Sequence, residues 1–343
     1  MLTPATERLL RLPKPELHVH LDGSLRPATM LDLANERGVP LPVSTAEELA
    51  GHMVVSDAAS LEEYLRHFDL TLSIMQDADA LERIAYELAA DHAAENVLYV
   101  EVRFCPILST VQGLHPDEVL DAALNGLHRA ENDFDVQTGL IVCGLRSHES
   151  ARSEEMAELA IAYSDRGVCG FDIAGAEAGN PVLDHVEAFR RASEAGFPIT
   201  IHAGEGFGAD SIRQALELGR ADRIGHGTRL HEDPELLETV RKQGVVLEVC
   251  LTSNVQTRVA TSYAEHPARR YFDEGISVSL GTDNRLMSGV TLTREYEHAR
   301  DALGFSWPEL VTVARTGLEH AFMPAERRRM MIERFEARVA AID

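Results

Sequence analysis

The sequence predicts an α/β fold, a closed (β/α)8 TIM barrel. Three observations carry that prediction. Eight short β-rich runs are spread along the chain, segments of helical periodicity lie between them, and no Pro-, Gly- and Ser-rich linker divides the series. Strands that alternate with helices call for βαβ units and a parallel sheet. Eight such strands suggest a closed barrel. Residues 1–343 are therefore expected to form one barrel domain.

The first strand is expected at residues 15–20, PELHVH. About 75 residues separate it from the second, too many for one crossover helix, so extra helices are expected over one end of the barrel across roughly residues 25–95. In this insert Leu61, Tyr64, Leu65 and Phe68 recur at helical spacing. The second strand is read at 97–104 (VLYVEVRF) and the third at 137–143 (QTGLIVC), with a helix from Asp117 to Phe134 between them. The helix Ser153 to Asp165 leads to a fourth strand at 168–174 (VCGFDIA), and the helix Asp184 to Ala195 to a fifth at 197–202 (FPITIH). The last three strands are expected at 222–226 (DRIGH), 245–251 (VVLEVCL) and 276–281 (ISVSLG). Helical segments from Leu292 to Ala341 form a C-terminal tail, and no internal repeat is visible.

Composition narrows the function. With 32 basic and 56 acidic residues the formal charge is −24, and no basic stripe appears that could neutralise phosphates, so nucleic acid is not an expected partner. No run of about 18 apolar residues exists to span a membrane. The N-terminal stretch has charges within any would-be apolar core and no small-residue cleavage site, unlike a secretory signal. Cys105, Cys143, Cys169 and Cys250 show no CxxC spacing, so a reduced cytoplasm is the expected setting. The oligomeric state stays open.

Histidines concentrate where barrel enzymes place their chemistry. His18 and His20 fall at the C-terminal end of the first strand, His202 at the fifth, His226 at the sixth, and Asp283 just beyond the eighth. Residues two apart on a strand point to the same face, so His18 and His20 can present both imidazoles to one ion. Imidazoles and a carboxylate converging there suit zinc or another borderline metal. Glu205, three residues beyond His202, is placed to relay protons beside such a centre, or else to favour a helix N-terminus.

The stretches PELHVHLDGSLRP, FDIAGAEAG, HAGE, RIGHG and SLGTDN resemble, in order, those of the adenosine deaminase family, zinc aminohydrolases that convert adenosine to inosine. The resemblance covers about residues 13–290. It implies one zinc ion held by His18, His20, His202 and Asp283, with Glu205 as proton donor to purine N1 and His226 beside the catalytic water. It implies Gly175 as a backbone donor towards N3 and Asp22 as a partner of the ribose 5′-hydroxyl, with His20 also at the substrate. It further implies that the segment bearing Leu61, Tyr64, Leu65 and Phe68 covers the nucleoside as an apolar lid. One departure stands out: the family usually has a second Asp after the metal-binding one, facing purine N7, and this chain has Asn284. N7 only accepts; an amide donates to it while neutral, whereas a carboxyl must first be protonated.

Close rivals are deaminases of adenine or of modified adenine nucleosides. AMP fits less well, because its phosphate would meet Asp22 rather than a basic cluster. The fourth strand ends in FDIAGAE without the Lys that bridges two metals in related barrels, which favours one metal. The HxE and PCxxC pattern of cytidine-type deaminases is missing. A barrel that kept the fold but lost its chemistry, acting as a binding module, is the non-enzyme alternative.

Overall fold

The computed structural model describes residues 3–55 and 64–342. All eight expected strands form: β1 Lys14–His20, β2 Val97–Phe104, β3 Gln137–Leu145, β4 Val168–Ala174, β5 Thr200–Ala203, β6 Arg223–His226, β7 Val246–Val249 and β8 Val278–Leu280. Every neighbouring pair is parallel. The strands bond in two arcs, β1 to β4 and β5 to β8. Two single bridges join the arcs, Phe171 with Ile199 and Val19 with Asp283. At the second seam the His20 N–H donates to the Asp283 carbonyl at 2.7 Å, and the Asp283 N–H to the His18 carbonyl at 2.8 Å. The barrel thus closes through three of the expected metal ligands.

Between β1 and β2 lie the helices Pro27–Arg37, Ala46–Met53, Phe68–Ile74 and Ala78–Ala94, as the long gap required. The tail forms the helices Leu292–Leu303, Trp307–His320 and Ala325–Ala340, of which Trp307–His320 packs on β1 and β8. Among the described residues no helix is long and apolar enough to cross a membrane.

Several strand boundaries differ from expectation by one to three residues, those of β5 and β7 among them. β5 starts at Thr200, not 197, because Ile199 N–H bonds to the Asp222 carboxylate at 2.9 Å instead of to a strand. β7 stops at Val249, because Cys250 caps a helix Leu251–Gln256. The run VVLEVCL is apolar on both sides of that change, so hydrophobic pattern cannot mark it.

The expected helix through Leu61, Tyr64, Leu65 and Phe68 is not continuous. Leu61 lies outside the described residues; Tyr64 and Leu65 are helical, Arg66 and His67 turn, and Phe68 opens a new helix. His67 N–H reaches back to the Tyr64 carbonyl at 3.2 Å and Asp69 N–H to that of Arg66 at 3.4 Å, the tighter i→i−3 spacing. Tyr64 is pinned in the interior, where its hydroxyl bonds Ser288 Oγ at 3.1 Å.

The barrel interior carries charge. Arg103 on β2 donates at 2.8 Å to Asp172 on β4 and at 2.8 Å to Glu248 on β7. Arg223 on β6 donates to Glu248 at 2.7 Å and also pairs with Glu101. All five are buried. Desolvation alone would lower the Arg103 pKa, and the carboxylates of Glu248 and Asp172 hold it raised. Removing one member strands the others, at roughly 3–5 kcal/mol.

Candidate active site

The interior charges set the imidazoles above them. His18 Nδ1 lies 2.9 Å from Glu248 Oε2, and His202 Nδ1 2.8 Å from Asp172 Oδ2. A carboxylate that close to a ring nitrogen requires a proton between them, which leaves each Nε2 as a lone pair facing inward. There His20 Nε2 lies 3.1 Å from His202 Nε2. Asp283 Oδ1 lies 3.5 Å from His18 Nε2 and 3.4 Å from His20 Nε2. Its other oxygen accepts from the Ser253 hydroxyl at 2.6 Å. Ligands 2.0–2.1 Å from a tetrahedral zinc are about 3.3 Å apart, so these separations fit one ion. His18 Nε2 is buried without a hydrogen-bond partner, as a vacant ligand atom would be.

Backbone geometry aims these groups. Asp283 and His226 sit at φ 58° and 62°, left-handed values uncommon outside glycine. Each strand end thereby turns its side chain into the mouth of the barrel. Gly225 makes space instead: a Cβ there would stand 3.0 Å from His18 Cε1, tight enough to crowd the imidazole.

Burial drives the pKa values of His20, His202 and His226 down, so these rings are neutral. Burial and Arg103 oppose protonation of His18, but its Asp283 and Glu248 contacts prevail and raise it. Glu205 behaves oppositely to a surface carboxylate. Burial, then the Asp283 and Glu177 charges, push its pKa well above the ordinary carboxylate range. Its loop is held by Glu177, whose carboxylate accepts the N–H groups of Gly204, Glu205 and Gly206 at 2.9–3.1 Å.

A cavity of about 340 Å³ opens onto this cluster. Every expected substrate residue among those described lines it: His20, Asp22, Gly175, Asn284, Tyr64, Leu65 and Phe68. Glu205 and His226 line it too, 3.5 Å apart from Oε2 to Nε2. Burial pushes Asp22 up to about 7. Asn284 Oδ1 is buried without a partner.

Sequence reasoning missed the supports. Asp172 and Glu248 hold the His202 and His18 imidazoles, Ser253 holds the Asp283 carboxylate, Glu177 shapes the Glu205 loop, and Arg146 straps the His202 carbonyl at 2.7 Å. Asp172 and Glu177 lie inside a motif stretch, a usable signal; Ser253 and Glu248 follow no pattern that marks them. His226 is a rival ligand, since it, His18, His202 and Asp283 offer atoms within 4.8 Å of one another.

A parallel barrel with imidazoles and one carboxylate converging at its C-terminal mouth, beside a buried carboxyl of raised pKa, defines a metal-dependent barrel hydrolase. The adenosine deaminase family matches residues 13–338, and the chain belongs to that family, hydrolases acting on carbon–nitrogen bonds of cyclic amidines. It is 39% identical to an adenosine deaminase of Clostridium acetobutylicum over 93% of this chain and 96% of that one. An adenine deaminase of Arthrobacter aurescens superposes with TM-score 0.89 at 28% identity, covering 96% of this chain and 99% of that one. An amidohydrolase from Burkholderia ambifaria, solved with bound Zn, superposes with TM-score 0.89 at 25% identity, covering 100% and 94%.

Proposed function

We propose that the protein deaminates adenosine, and 2′-deoxyadenosine, to inosine and ammonia with one zinc ion, as a single cytoplasmic barrel domain spanning 1–343. The observation that carries this reading is buried Glu205 set in one cavity with His20, His202, His226 and Asp283. Membership of the family and the 39% identical adenosine deaminase support it. His18, His20, His202 and Asp283 would hold the ion. Zinc there supplies Lewis acidity that makes water nucleophilic at neutral pH.

The chain's own groups do the rest. Water adds its oxygen to C6 as the aromaticity of the ring breaks and N1 becomes basic; Glu205 gives its proton to N1, and the carboxylate so formed takes up the proton that the water loses. His226 hydrogen-bonds the attacking oxygen, and Asp283 holds it from the other side. The C6–N bond then breaks as a proton from Glu205 reaches the amino group, so ammonia leaves, and the C6 hydroxyl returns its proton to Glu205 as the carbonyl forms. Asp22 receives the 5′-hydroxyl and the Gly175 N–H faces N3. Leu65 and Phe68 keep water from the upper face. Ammonia release measured side by side on adenosine, 2′-deoxyadenosine, adenine and AMP tests the reading, and adenosine should be turned over fastest. Adenine turned over faster would move the assignment to the adenine deaminase reading that the Arthrobacter neighbour favours.

AMP should be the poorest of the four. No described residue lining the cavity is Lys or Arg, and Asp22 and Asp69 both line it. A phosphate set against carboxylates costs several kcal/mol, so kcat/KM for AMP should lie at least ~10²-fold below adenosine. Comparable values for the two would refute this placement of the 5′ end.

Asn284 should donate to N7. Replacing that acceptor by carbon in 7-deazaadenosine leaves the amide unpaired, at about 1–3 kcal/mol of transition-state binding. Equal kcat/KM for 7-deazaadenosine and adenosine would end this assignment.

A further inference from the structure

We infer that Asn254, clamped by His266 and Thr228, locks neutral His226 with its hydrogen on Nε2, so that His226 meets the reacting centre as a hydrogen-bond donor and not as a metal ligand. Asn254 is a positioning residue; it acts only through His226. The inference rests on the reading of the cavity as the reaction site.

A chain of contacts leads to His226, and its first member admits one polarity. The backbone N–H of Ala268 donates to His266 Nδ1 at 3.1 Å. That nitrogen is therefore the lone pair of His266, and its hydrogen is on Nε2. His266 Nε2 lies 3.1 Å from Asn254 Oδ1, which it can only reach as a donor. The Thr228 hydroxyl donates to the same oxygen at 2.8 Å. Two donors on one side fix which end of the amide is oxygen. The amide nitrogen then faces His226 Nδ1 at 3.0 Å. An amide nitrogen has hydrogens and no available lone pair, so His226 Nδ1 accepts. The one hydrogen of the neutral ring is left on Nε2, the nitrogen 3.5 Å from Glu205 Oε2.

Asn254, His266 and Thr228 are all buried. Burial takes His266 down to about 3, which keeps it neutral and its polarity constant at working pH. The consequence separates two ligand sets. His18 and His202 rest their Nδ1 atoms on carboxylates and turn bare Nε2 atoms inward. His226 rests its Nδ1 on an amide donor and turns an N–H inward. The geometric cluster that includes His226 is thus excluded as a coordination set.

Histidine ¹⁵N-labelled, zinc-loaded wild-type protein provides the test, using long-range proton–nitrogen correlation and assigning His226 by the signals lost in His226→Gln. The expected spectrum shows a pyridine-type Nδ1 and a pyrrole-type Nε2 for His226. Asn254→Asp presents a carboxylate oxygen to Nδ1 and should swap the two, with kcat lower by about 10–100-fold and KM little changed. His266→Gln, which can still donate to Asn254, should keep the wild-type tautomer; His266→Phe should mix the two. A wild-type His226 protonated on Nδ1 overturns the inference without any variant, as does an unchanged tautomer in folded Asn254→Asp. Wild-type protein with the Nε2–H form but no ammonia release from adenosine would instead sink the deaminase reading and leave this inference intact.

Discussion

Glu205→Gln should lower kcat for adenosine by ~10²–10⁴, the range that general acid help is worth, while zinc content and binding of a ground-state nucleoside stay close to wild type. Gln keeps the size and polarity of the side chain and has no acidic proton to place on N1. The pH dependence supplies a second measurement. Burial holds the Glu205 pKa well above the ordinary carboxylate value. The acid is competent below that raised pKa, so wild-type kcat should fall as pH rises through it, and that alkaline limb should be missing from the variant. Stability changes in the same pH window. A carboxyl that binds its proton more tightly when folded loses stability as pH climbs from the unfolded pKa, roughly 4.3, to the folded one. The Gln variant is spared that loss, so its Tm at pH 7 should be no lower than wild type. A zinc-replete variant with near-wild-type kcat would remove Glu205 from the proton transfer, and an equal loss of zinc would move it into the ligand set.

Asp283→Ala and His18→Ala should lose both zinc and deaminase activity, and chelation of wild-type enzyme should do the same. Each substitution removes one of the four side chains that would hold the ion, and the Asp283 variant also frees the Ser253 hydroxyl that donates to it at 2.6 Å. Asp172→Asn should be milder, with zinc affinity down by about 10–100-fold, the usual effect of losing a carboxylate that orients a ligating imidazole. Its effect is read as zinc content after dialysis, by elemental analysis. Full activity in zinc-free protein would overturn the metal reading; wild-type zinc retention in Asp172→Asn would show that His202 is oriented by something else.

Much of the architecture was legible along the chain because strands and helices write their periods locally. The eight strands, the helical gap after β1 and the helical tail all follow from runs of apolar residues and their spacing. His18 and His20 were legible as a pair because an extended strand repeats every two residues. His202, His226, Asp283 and Glu205 were legible because they lie at or just beyond strand ends, where a barrel opens. Resemblance, rather than spacing, supplied the purine contacts.

What tertiary structure alone decided lies between segments remote in sequence. Arg103, Asp172 and Glu248 read locally as charges interrupting three strands, and only closure of the barrel turns them into one buried network beneath His18 and His202. The stretch around Leu251 continues the apolar run of β7, yet it bends into the helix that carries Ser253 and Asn254 to the site. His266 sits in a loop with no pattern at all and matters because it meets Asn254 in space. Local periodicity reports which face of an element is apolar. The polarity of a hydrogen-bond chain, and with it the nitrogen of His226 that carries hydrogen, depends on partners that only folding brings within about 3 Å of one another.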